Sequence, residues 1–130
     1  LFLAQRLTGY HPFDPVTTWL GLTPAAVLEH LQVWRLASYL FLHGGVFHLL
    51  FNMLALWMFG TELERMWGTR AFLKFYAITG VGAAALTVLF SLLPFGFSEQ
   101  LYPSIIIGAS GAVYGLMLAN ALYFPDRPVY

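Results

Sequence analysis

A single serine has the surroundings of a nucleophile. In Gly108-Ala109-Ser110-Gly111-Ala112-Val113-Tyr114-Gly115 a hydroxyl lies among glycines, at the start of an apolar stretch with no charge before Asp126. A helix over 110–124 would be about 22 Å long, at 1.5 Å per residue. Its first N–H groups lack intrahelical partners, and the helix dipole places partial positive charge there. Such a spot suits the oxyanion formed when a serine attacks a carbonyl, and the glycines allow close backbone approach. The same residues admit a plainer use, with Ser110 as an N-cap and Gly111 and Gly115 as a GxxxG packing pair.

His48 and Asn52 are four residues apart, so on a helix they share a face. On an apolar helix such side chains turn into the protein or an aqueous pocket, either as donors to a reacting group or as interhelical contacts. His43-Gly44-Gly45 breaks the apolar run just before them. Arg35, after Trp34, must pair, snorkel or meet carbonyls, so it is either an interfacial anchor or a hydrogen-bond hub that stiffens its loop. Glu64 pairs with a cation, caps backbone groups or sits solvated in a turn.

These residues need elements to hold them, and composition says which kind. Hydrophobic residues make up 59% of the chain and charged residues 9%, against about 25% charged in an average soluble domain. So few charges cannot coat a soluble domain. Charge-free runs over 36–61, 75–98 and 100–125 are each long enough to contain a spanning helix. An all-α membrane bundle is expected, with helices over 46–64, 71–93 and 110–124. Residues 1–10 read as the end of an earlier helix, 11–45 as a membrane-associated loop and 94–109 as a second loop. Within the first loop Thr23-Pro24 opens a short helix towards Gln32. Its residues Val27, Leu28 and Leu31 share one face, as at a membrane interface, and Trp19 and Trp34 suit the same level. Gly80, Gly82 and Ala83–Ala85 give the 71–93 helix a small-residue patch for close helix approach.

Net charge is zero without a basic or acidic block, and there is no cysteine. Nucleic acid, disulfides, a thiol nucleophile and thiolate metal sites are not indicated. The ends at Leu1 and Tyr130 suggest a piece of a longer protein. Arg65, Arg70 and Lys74 gather around the turn after the 46–64 helix, which the positive-inside rule places in the cytoplasm. His43, His48, Asn52 and Ser110 then fall at the extracytoplasmic end.

Trp34-Arg35, His43, His48-Leu49-Leu50-Phe51-Asn52, then Gly60, Glu64 and Gly68, then Gly108-Ala109-Ser110-Gly111 with Tyr114 form an ordered set that resembles the rhomboid intramembrane serine proteases. The resemblance covers the chain from about Trp19 onward. It implies a partial six-helix core: the end of the first helix, the first loop and three full spans. It implies a serine endopeptidase, active without metal or cofactor, that cuts transmembrane protein substrates within the lipid bilayer. Ser110 would be the nucleophile, His48 and Asn52 the oxyanion donors. Tyr114 would pack on the general-base histidine, with His43 and Gly108 supporting the site and Trp34, Arg35 and Glu64 structural. The family's base lies on the sixth helix, and none of His11, His30, His43 or His48 matches it. These 130 residues alone are therefore expected to be inactive. A rhomboid-like protein that binds transmembrane clients without cutting them is the alternative. A transporter fragment with a half-helix at a substrate site is a third reading.

Overall fold

The computed structural model describes residues 1–7 and 14–128; the expected breaks at Gly9 and Pro12, and His11, lie outside the described residues. In order come α1 (Phe2–Leu7), α2 (Pro15–Leu20), α3 (Pro24–His30), α4 (Arg35–Ser38), a 3-10 turn (Tyr39–Phe41), α5 (Val46–Trp67), α6 (Thr69–Phe90), α7 (Gly96–Leu101) and α8 (Ser110–Tyr123). Extended pairing among the described residues is confined to an antiparallel bridge between Leu22 and Ile106.

Neither α5 nor α6 contains a proline, and each runs unbroken for 22 residues, about 33 Å. That matches a hydrocarbon core of about 30 Å. Only 17% of the most apolar part of each is buried inside the protein. Phe47, Phe51 and Trp57 on α5, and Ile78, Leu86 and Leu89 on α6, face outward. A soluble core helix hides such side chains, whereas lipid surrounds them without a desolvation cost. The fold is an all-α membrane bundle.

Of the three expected spans, two have the length to cross. The third, α8, has 14 residues, about 21 Å, and packs between α5 and α6. Ala112, Val113, Leu116, Ala119 and Asn120 are its buried residues. A Cβ on Gly111 would lie 2.7 Å from the Ala83 Cβ, and one on Gly115 2.7 Å from Thr79 Cγ2. The small-residue patch on α6 is thus divided: Ala83 meets α8, Gly80 receives the Leu40 side chain, and Gly82 has nothing within 4 Å.

The turn between α5 and α6 is shorter than the sequence suggested. Both helices continue to a single residue, Gly68, whose φ of 81° lies in the region that favours glycine. Among the described residues Glu64 pairs with no cation; its Oε1 accepts from the Thr69 hydroxyl at 2.6 Å across the turn. At the other end α6 stops at Phe90, and the expected loop contains α7.

The first loop is built from capped short helices. Asp14 accepts from the Thr17 N–H at 2.9 Å ahead of Pro15, while Thr23 makes no side-chain cap before α3. Leu31 takes a left-handed conformation and ends α3. It therefore does not extend the face of Val27: Val27 is buried and Leu31 is 75% exposed. Arg35 is only 5% exposed and donates to the Gly21 carbonyl and to Gln32 Oε1, both at 2.6 Å. An interfacial anchor needs a head group in water, so Arg35 acts as the stiffening hub. Trp34 Nε1 donates to the Trp19 carbonyl at 3.1 Å, and both rings remain exposed.

Candidate active site

Ser110 is the first residue of α8, with Ala109 in the capping position. The first helical bond there runs from the Val113 N–H to the Ala109 carbonyl at 3.0 Å, so the N–H groups of Ser110, Gly111 and Ala112 have no intrahelical partner. The Ser110 side chain is exposed and does not cap its own helix. The N-cap alternative is thereby removed, while the packing role of Gly111 and Gly115 coexists with an available hydroxyl.

Backbone bonds from the first loop hold the segment entering α8. Leu22 and Ile106 exchange bonds of 2.9 and 2.8 Å, the Ala25 N–H reaches the Tyr102 carbonyl at 3.1 Å, and the Gly108 N–H reaches the Tyr39 carbonyl at 2.9 Å. Tyr39 is buried, and its hydroxyl donates to the Gly80 carbonyl at 2.7 Å. One residue therefore ties the serine loop to α6. Burial, and secondarily Tyr76, push its phenol up to about 12, so it stays a neutral donor.

His48 closes on this segment from α5. The Gly44 N–H donates to its Nδ1 at 3.0 Å, which makes Nδ1 the acceptor and leaves the neutral ring's proton on Nε2. A Cβ on Gly108 would lie 2.7 Å from that Nε2. The ring thus presents a donor to the backbone two residues before Ser110. Asn52, 8% exposed, sits one turn further along and donates from Nδ2 to the His48 carbonyl at 2.8 Å. An amide has two N–H groups, so one remains to donate elsewhere.

His43 is buried, its ring 5.2 Å from that of His48 in an edge-on arrangement. Both ring nitrogens lack hydrogen-bond partners among the described residues. Burial, and then the neighbouring His48, hold its pKa below the usual histidine value, against a weaker upward pull from the Phe41 carbonyl. Tyr114, one turn after Ser110, is 69% exposed. Trp34 and Arg35 lie in the first loop, and Glu64 lies at the far end of α5. The structure thus gathers Ser110, Gly108, His48, Asn52 and His43 at one end, with Tyr114 one turn further along α8, and leaves Trp34, Arg35 and Glu64 apart.

Residues 30–130 match a family model described as the Rhomboid domain. The chain belongs to the rhomboid family. Its relatives include the Rhomboid protease GluP of Bacillus subtilis, 42% identical over 90% of this chain and 21% of its own length. RHOMBOID-like protein 4 of Arabidopsis thaliana is 41% identical over 75% of this chain and 22% of its own length. The Rhomboid protease AarA of Providencia stuartii is 35% identical over 69% of this chain and 34% of its own length. The chain therefore spans about a third or less of these relatives. No solved structure matches it significantly. Rhomboids are membrane-embedded, in keeping with the outward apolar faces of α5 and α6.

Two residues of this rhomboid site escape a reading by motif. Tyr39 is one aromatic in an apolar run, with no spacing to mark it. Gln5 carries a signal, as a polar residue in the apolar Leu1-Phe2-Leu3-Ala4-Gln5; the structure buries it to 5% exposure.

Proposed function

We propose that the full-length protein is an intramembrane serine endopeptidase that cleaves transmembrane protein substrates. Ser110 Oγ attacks the scissile carbonyl, and its proton passes to a general-base histidine beyond this chain, which then protonates the leaving amine. The acyl-enzyme is released by water reaching the extracytoplasmic end, opposite the basic residues around Gly68. The Ser110 N–H, His48 Nε2–H and the second Asn52 amide hydrogen stabilise the tetrahedral oxyanion. Tyr114 supports the base, and the route uses neither metal nor cofactor. One observation carries this reading: His48, with Nδ1 occupied by the Gly44 N–H, turns its other nitrogen to Gly108, two residues ahead of Ser110 at the N-terminus of α8.

Ser110→Ala in the full-length protein abolishes cleavage of a transmembrane substrate and labelling by a fluorophosphonate. Retained cleavage refutes the assignment. His48→Ala lowers turnover by about 3 kcal/mol of transition-state stabilisation, the usual worth of one oxyanion donor. A wild-type protein that binds a transmembrane client but neither cuts it nor takes the label belongs to the non-cleaving alternative.

A further inference from the structure

The oxyanion donor is held by a chain of bonds that begins on α1. Gln5 Nε2 donates to Thr17 Oγ1 at 2.9 Å, and Gln5 Oε1 accepts from the His43 N–H at 3.1 Å. The next N–H, that of Gly44, donates to His48 Nδ1 at 3.0 Å. Gln5, Thr17 and His43 are all at most 6% exposed, so water does not compete for these bonds. We infer that Gln5 is a positioning residue for catalysis: by anchoring the Leu42–His43 peptide from α1, next to the peptide that carries the Gly44 N–H, it sets the ring orientation and tautomer of His48.

The physical case rests on what each bond fixes. Two consecutive N–H groups point in different directions along the 43–44 backbone, one to Gln5 and the next to His48. They belong to adjoining peptide units, and anchoring the first leaves only the His43 backbone torsions through which the second can turn away from His48. Without the Gly44 bond, the His48 proton is free to move to Nδ1, and Nε2 becomes an acceptor facing an oxyanion. Thr17, itself held at the capped start of α2 by Asp14, keeps the Gln5 amide in the orientation that presents Oε1 to His43. Misplacing a catalytic group by about 1 Å costs up to about a hundredfold in rate.

This inference rests on the protease reading, and a double-mutant cycle separates the two. Cleavage of a transmembrane substrate is measured for the full-length wild type, Gln5→Met, His48→Ala and the double variant in liposomes. Gln5→Met is expected to lower kcat about tenfold, with KM within about twofold. On the His48→Ala background it is expected to have no further effect, because its action passes through that ring. Gln5→Glu, which keeps an acceptor for the His43 N–H and can accept the Thr17 hydroxyl proton, restores most of the rate. An equal loss from Gln5→Met on both backgrounds, or no loss on either, overturns the positioning role while leaving the protease reading intact. No cleavage by the wild type overturns both. If Gln5→Met fails to accumulate, Thr17→Val takes its place, since it loosens the Gln5 amide without deleting it. A loss of about threefold that vanishes on His48→Ala supports the role; a loss that persists there, or no loss at all, overturns it.

Discussion

Gly108 meets two demands that no other residue satisfies together. Its φ is 117°, and a Cβ would lie 2.7 Å from the His48 Nε2. Gly108→Ala adds about 1–3 kcal/mol of backbone strain and pushes the ring from the position proposed for oxyanion binding. The expected result is a cleavage rate about a hundredfold lower in protein that still inserts and folds in detergent; unchanged turnover would remove the ring from the oxyanion site. His43 carries a different signature. Its folded pKa is depressed below 6.5, so the unfolded chain takes up a proton more readily. Stability from this group is complete above about pH 6.5 and is lost as pH falls through the lower folded value. His43→Leu should therefore flatten the decline in melting temperature between pH 7.5 and 5, because it leaves no buried imidazole to charge. A decline as steep as the wild type's would show that another group governs it. Ser110, His48 and Asn52 were legible because spacing and glycine context mark them locally. Tyr39 and Gln5 were not, because their partners lie far along the chain: Tyr39 bonds Gly80 and Gly108, and Gln5 bonds Thr17 and His43.

At the scale of elements, α8 places the serine by being small on one side. Gly111 and Gly115 bring its backbone against Ala83 and Thr79 of α6, while Asn120 Nδ2 reaches the Phe59 carbonyl of α5 at 3.3 Å. Gly115→Ala puts a methyl 2.7 Å from Thr79 Cγ2 and should destabilise the protein by about 1–3 kcal/mol, measured by denaturant titration in mixed micelles. Thr79→Gly on that background should recover part of the loss, since it removes the Cγ2 at 2.7 Å and also the Cβ at 2.8 Å; no recovery would mean that α8 is seated by other contacts. The 46–64 helix, the apolar 71–93 run and the short serine helix were all visible in charge-free runs. Their ends were not. The helix was expected to end at Glu64, yet Arg65, Met66 and Trp67 continue α5, and Gly68 alone makes the break. The 94–109 stretch hid α7 and the Leu22–Ile106 bridge for a related reason. The bridge depends on the first loop rather than on any periodicity of its own, and α7, with 6 residues, is too short to show one.

The whole molecule combines two helices long enough to cross a bilayer with a central one that is not, and this mismatch dictates where water must go. α5 and α6 turn their apolar sides outward over about 33 Å, whereas α8 covers about 21 Å; the irregular chain ahead of Ser110 must then lie within protein or beside water. Trp57 sits eleven residues into α5, about 17 Å along it, and is 69% exposed on the outside of the bundle. Position 110 should therefore be wet and position 57 dry, although both side chains are exposed in the protein. These 130 residues contain no cysteine, so single cysteines introduced here add a defined signal over any background from the rest of the chain. In the full-length protein in sealed vesicles, Ser110→Cys should react with a charged, membrane-impermeant methanethiosulfonate, and Trp57→Cys should not. Glu64→Cys, beside the Arg65, Arg70 and Lys74 cluster, should react only from the face opposite to that which labels position 110. Equal labelling at 57 and 110 would contradict a lipid-facing α5. Labelling of 64 and 110 from the same face would contradict the proposed extracytoplasmic site while leaving the hydrogen-bonded geometry around His48 untouched.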